Sequence, residues 1–215
     1  NLGENTFFKA SNQKPLKMYV NDFDKNGKTE QIISLFNGDK AFPVSQKKEI
    51  TSQLPFLLKK YLKHNDYKEK TVNEIFDYKE LKDAIELDIK NCSTSILWNY
   101  NGGKFNLEKL SSEAQLSPVY AVLLSDFNND DKVDIIIGGN QFRAKPQTGI
   151  YAGSQGVVYE NYYNKIFKIL KSKKSGIFIK DEIRDIKEIQ VGNKKHILVS
   201  TNNNKLRCYS TINEN

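Results

Sequence analysis

Two short acidic segments hold the residues best suited to chemistry. One is Asp22-Phe23-Asp24-Lys25-Asn26-Gly27-Lys28-Thr29-Glu30, the other Asp126-Phe127-Asn128-Asn129-Asp130-Asp131-Lys132-Val133-Asp134. Each places oxygen-bearing side chains at relative positions 1, 3, 5 and 9. Converging carboxylates and amides on a tight loop suit a hard, oxygen-seeking cation, above all Ca²⁺. Asp22, Asp24, Asn26 and Glu30 form the first expected ligand set, with the Lys28 carbonyl. Asp126, Asn128, Asp130 and Asp134 form the second, with the Lys132 carbonyl. Both lysine side chains are expected to point to solvent. Gly27 stands where a sharp turn calls for positive φ, and Asp131 takes that place in the second loop. An ordinary Asp/Asn-rich hairpin turn is the simpler alternative.

The flanks decide what kind of loop this is. The helix-loop-helix calcium motif needs a bidentate Glu at position 12. Ile33 and Ile137 occupy that position here. Lys17–Val20, Gln31–Phe36, Val119–Leu124 and Ile135–Ile137 are short, β-branched and aromatic, which predicts strand–loop–strand. Further strands are expected at Ser95–Tyr100 and Lys104–Leu110, joined by a turn at Asn101-Gly102-Gly103. A third unit runs through Gly176–Ile179, Ile183–Ile189, His196–Ser200 and Leu206–Tyr209. Its Gly192–Lys195 turn lacks the acidic loop. Residues 45–90 read as a helical insertion, with helices expected at Gln46–Gln53, Leu54–Leu62 and Tyr78–Leu87 and a cap at Thr71 or Asn73. These helices either pack over the sheets or contact a partner. The expected organisation is 1–44, a first sheet region with its loop; 45–90, the insertion; and 91–215, the remaining sheets.

The unit Asp-Phe-(Asp/Asn)-x-(Asn/Asp)-(Gly/Asp)-Lys-x-(Glu/Asp), followed by a β run, resembles the FG-GAP/VCBS repeat of integrin-like β-propellers. The likeness covers residues 15–40 and 117–140. The Asn1–Asn5 turn, Ser117-Pro118-Val119-Tyr120 and the stretch from Gly138 to Gly156 further resemble the last blades of ASPIC/UnbV-related surface proteins of Bacteroidetes. That resemblance implies a mostly β fold, a partial propeller of about three four-stranded antiparallel blades, short of the four to eight in a closed ring. It also implies two structural Ca²⁺ sites and an extracellular or surface-anchored (outer-membrane) setting. The function it implies is non-enzymatic binding or assembly, the partner a protein or a glycan. The other blades of a larger parent, or a second copy, would complete the ring. A calcium-dependent propeller enzyme acting on polysaccharide is the alternative.

Composition narrows the field. Thirty-three basic against twenty-six acidic side chains leave a net charge of +7. The basic residues are nearly all Lys and dispersed, with Arg143, Arg184 and Arg207 apart from one another, unlike a nucleic-acid footprint. There is no apolar run of membrane-spanning length. Cys92 and Cys208 are expected as buried free thiols, or as a bridge if the parent is secreted. His64 and His196 lack a second zinc ligand in their neighbourhood, and Gly153-Ser154-Gln155-Gly156 lacks the spacing of a nucleophile elbow. Outside the loops, Asn140, Arg143, Lys145 and Tyr151 are the candidates for meeting an anion or a sugar. A structural loop is the alternative there.

Overall fold

A computed structural model describes residues 1–100, 102–163 and 166–210. The chain is mostly β, with four antiparallel sheets and a group of short helices. It divides into two compact units, Phe8–Cys92 and Asn1–Phe7 together with Ser93–Asn215.

In the Phe8–Cys92 unit, β1 (Leu16–Asn21), β2 (Glu30–Asn37), β3 (Lys40–Pro43) and β4 (Ile85–Ile89) form one sheet in the order β3-β2-β1-β4. Alternation sorts its faces. Tyr19 and Ile32, paired across β1 and β2, turn to one face and join a core with Ile50, Leu54, Leu57, Val72, Ile75 and Phe76. Ile50 lies in α1 (Lys47–Gln53), Leu57 in α2 (Leu57–Lys60), and Val72 and Ile75 in α4 (Val72–Ile75), with Leu54 and Phe76 just past α1 and α4; α3 (His64–Tyr67) adds Tyr67, and partly buried Leu81 of α5 (Tyr78–Lys82) packs against the cluster. The helices therefore cover that face of the sheet.

Helices this short gain little from their own hydrogen bonds and depend on caps and packing. Four of them begin with an acidic residue that reaches back to the preceding backbone N–H. Glu49 accepts from Gln46, Asp66 from Lys63, Glu74 from Thr71 and Glu80 from Asp77. Two expectations are corrected here. The helix expected over Leu54–Leu62 is confined to Leu57–Lys60, because Leu54 and Tyr61 leave helical geometry while staying buried in the core. The helix expected over Tyr78–Leu87 stops at Lys82, and Ile85–Ile89 instead pairs antiparallel with β1.

The second unit contains the hairpin β5 (Ser95–Tyr100) and β6 (Lys104–Lys109), then a 3₁₀ turn at Ser112–Gln115. Gly102 and Gly103 both take positive φ in that hairpin; Asn101, expected in the same turn, lies outside the described residues. A four-stranded meander follows: β7 (Val119–Ser125), β8 (Asp134–Gly139), β9 (Val157–Tyr163) and β10 (Ile166–Leu170). After α6 (Ser172–Ser175) come β11 (Ile183–Val191), β12 (Lys194–Thr201) and β13 (Arg207–Ser210). This last sheet has three strands. Gly176–Ile179, expected as a strand, does not form one. Ile177 and Ile179 are buried all the same, and Ile179 N–H is taken by the Gln155 carbonyl.

The meander is apolar on both faces. Ile136 and Val158 pack with Ile183, Ile186, Ile197 and Val199 of the three-stranded sheet. Ile135, Ile137, Val157 and Tyr159 pack on the other side with Leu110, Ala114 and Ile96. Trp98 stacks on Phe167 at 6.1 Å, in keeping with its expected packing role. Two glycines make this closeness feasible. A Cβ on Gly138 would meet Ile183 at 2.5 Å, and one on Gly139 would meet the Pro118 carbonyl oxygen at 1.6 Å. No helix among the described residues is long and apolar enough to cross a membrane. Both cysteines are free; Cys92 is half-buried, but Cys208 is exposed, because its side chain leaves β13 on a solvent-facing side.

Candidate metal loops

The first loop joins β1 to β2. Asp22 Oδ1 accepts the N–H of Asn26 at 2.9 Å, and its Oδ2 accepts that of Gly27 at 2.8 Å. Asp24 Oδ1 also accepts from Asn26, Asn26 Oδ1 accepts from Lys28, and Glu30 Oε2 accepts from Phe23 at 3.2 Å. The second loop joins β7 to β8 and repeats these bonds place for place. Asp126 accepts from Asp130 and Asp131, Asn128 from Asp130, Asp130 from Lys132, and Asp134 from Phe127.

The backbone repeats as well. Positions 4 and 6 are left-handed in both loops: Lys25 (φ 57°) and Gly27 (φ 85°), Asn129 (φ 59°) and Asp131 (φ 63°). Sequence reasoning foresaw position 6 and missed position 4. Asn129 was the available signal, since Asn enters this region more readily than most residues. Lys25 offered none.

The loops differ in what their oxygens do. Ligand oxygens of Asp22, Asp24 and Glu30 all lie within 4.8 Å of one another, the sole such carboxylate group among the described residues. Hard, anionic and gathered, this donor set fits Ca²⁺. In the second loop the Lys132 ammonium bonds Asp130 at 2.9 Å. That corrects the expectation that Lys132 points to solvent; the neighbouring Asp130 carboxylate attracts it. The ammonium holds the Asp130 carboxyl below its usual range. Asp134 is 2% exposed, and burial pushes its carboxyl up even though two backbone N–H groups, of Asn161 and Phe127, favour the charged form. Asp126, Asp130 and Asp134 do not form such a close group among the described residues.

Each loop is fastened by distant residues that sequence spacing did not reveal. Phe23 is buried against Phe76 at 4.5 Å, and Asn21 donates to the Glu80 carbonyl. The second loop receives the Lys195 ammonium on the Asp126 carbonyl at 2.9 Å, while the Asn128 amide donates to Glu160.

The four other candidates are not gathered into one site. Asn140 is fully buried, and its side chain bonds the backbone of Ser154, Lys180 and Asp181. Its own carbonyl accepts from Arg184, whose other arm pairs with Glu182. Tyr151 is buried with its hydroxyl on Thr6, and its backbone pairs with Gln141. Arg143 and Lys145 are exposed on the intervening loop. Asn140 and Tyr151 are thus occupied in closing that loop. Compared with family models, curated proteins and solved structures, the chain matches none.

Proposed function

We propose that this chain is a calcium-stabilised, non-enzymatic segment of an FG-GAP-type β-propeller, belonging to a secreted or surface-anchored protein and serving contact with a protein or glycan. One observation carries the reading: two loops more than a hundred residues apart in sequence share bond pattern, left-handed positions and place between the first two strands of a sheet. A turn that needed only to reverse the chain has no need of an oxygen-bearing side chain at each of these places. The successive sheets of the second unit, packed face to face through Ile135–Ile137, support a blade-like arrangement. Asp22, Asp24, Asn26 and Glu30 would hold the ion, which would supply the positive charge that the clustered carboxylates lack. The second loop would take its ion more weakly, because Lys132 competes for Asp130. Loops of modest affinity suit the millimolar calcium outside cells. The carboxylates are committed to backbone amides and an ion, which supports a binding rather than a catalytic role.

The test is calorimetric titration of EDTA-stripped protein with calcium chloride, paired with thermal unfolding in calcium and in EDTA. One stronger and one weaker site, with a calcium-dependent rise in Tm, is the expected result. No heat and no shift would reduce both loops to turns and remove the support for the propeller.

A further inference from the structure

Position 3 is filled by Asp24 in the first loop and by Asn128 in the second. A carboxylate offers oxygen at both ends, so either orientation suits a cation. A carboxamide does not, since one end is an acceptor oxygen and the other an NH₂ donor. Turned the wrong way, it would aim N–H dipoles at the ion. At this position the second loop therefore needs something that fixes which end of Asn128 faces inward.

The groups that fix it lie partly outside the loop. Asn128 Oδ1 accepts the Asp130 N–H at 3.1 Å, the counterpart of the bond from the Asn26 N–H to Asp24 Oδ1. Asp24 belongs to the gathered carboxylates of the first loop, so the Asn128 oxygen holds the equivalent place in the repeated bond pattern. The other end of the amide, Nδ2, donates to Glu160 Oε1 at 3.2 Å. An ionised carboxylate only accepts, so Glu160 admits the NH₂ end of Asn128 and rejects the oxygen.

Glu160 comes from β9, which is itself tied to the end of the loop. The Asn161 N–H donates to Asp134 Oδ1 at 2.9 Å, and the Asn161 side chain donates to the Val133 carbonyl. Lys168, opposite Glu160 on β10, places its ammonium over the Tyr162 ring, 3.2 Å from the centroid. The Glu160 charge is felt inside the loop as well. Lys132 holds its proton more firmly than an ordinary lysine, first through its bond to Asp130 and then through the charges of Asp130, Asp134 and Glu160.

We infer that Glu160 is a positioning residue for the second cation loop: it holds the Asn128 amide with Oδ1 turned inward and so sets that loop's affinity for calcium. The inference rests on the reading of the loops as calcium sites and adds to it a residue from outside the repeated unit. Such orientation of a ligand by a hydrogen-bonded neighbour is a common determinant of metal affinity.

The experiment is calorimetric titration of the whole chain with calcium chloride, both unaltered and with Asp22→Ala, which leaves the second loop as the responding site. Tm in EDTA is measured alongside. Glu160→Ala weakens binding at the second loop about fivefold, the worth of one hydrogen bond, and leaves Tm in EDTA unchanged. Glu160→Gln keeps an amide oxygen that accepts from Nδ2, and restores the affinity to within about twofold. Asn128→Asp sets two like charges together and binds no tighter than the unaltered loop. Combined with Glu160→Gln it binds about tenfold tighter than Asn128→Asp alone. Affinity untouched by Glu160→Ala, an equal loss in the Ala and Gln variants, or a lower Tm in EDTA with affinity unchanged overturns the inference. Absence of calcium binding in the unaltered chain overturns the loop reading and this inference with it; second-loop binding that ignores Glu160 overturns this inference alone.

Discussion

Replacing Asp22 by Ala separates an ion-binding loop from a turn. The Asp22 carboxylate accepts two backbone N–H groups and contributes one oxygen to a group whose members lie within 4.8 Å of one another. In EDTA the substitution frees two amides that water can reach, a loss of about 1 kcal/mol. It also relieves repulsion among like charges, about 1 kcal/mol at such distances in water. The net change without metal is therefore within about 1 kcal/mol of zero. Calcium changes the balance. With a Kd of about 10⁻⁴ M and about 10 mM free ion, binding adds about 2.7 kcal/mol to the folded state. Asp22→Ala forfeits most of that, so its cost is about 3 kcal/mol in calcium and at most about 1 kcal/mol in EDTA. Chemical denaturation followed by far-UV circular dichroism measures both, and hydrogen exchange at the β1 and β2 amides localises the effect. Equal costs in the two buffers, or calcium binding as strong as in the unaltered chain, would refute the reasoning.

Lys132→Met removes the ammonium competing for Asp130 and should raise the calcium affinity of the second loop about two- to fivefold by calorimetry, with the first loop unchanged. Gly139→Ala sets a methyl group against the Pro118 carbonyl and should cost about 3 kcal/mol in denaturation. Glu74→Ala tests the helix caps through pH. The Thr71 backbone N–H and then its hydroxyl hold the Glu74 carboxyl down at about 2, against 4.5 for a free group. A depressed acid stabilises the fold above its ordinary value and loses that contribution as pH falls through the folded one. The variant should therefore melt lower at neutral pH, and the gap in Tm should narrow between about 4.5 and about 2.

The acidic loops, their flanking strands and the boundaries of most β elements were legible in the sequence because they rest on local rules: alternation, turn chemistry and the spacing of oxygen donors. The capping residues of the short helices were local too; Thr71, one of the two caps considered, is the one used. What followed from neither period nor spacing came from contacts far along the chain. Ile85–Leu87 fell within the expected Tyr78–Leu87 helix, yet the open edge of β1 pairs with Ile85–Ile89 as a strand. Gly176–Ile179 is apolar enough for a strand, but burial beneath the meander satisfies it without one. The repeated spacing of the two loops was visible in the sequence. Their difference was not, because it depends on where the Lys132 ammonium settles and on how the Asn161 amide holds Asp134.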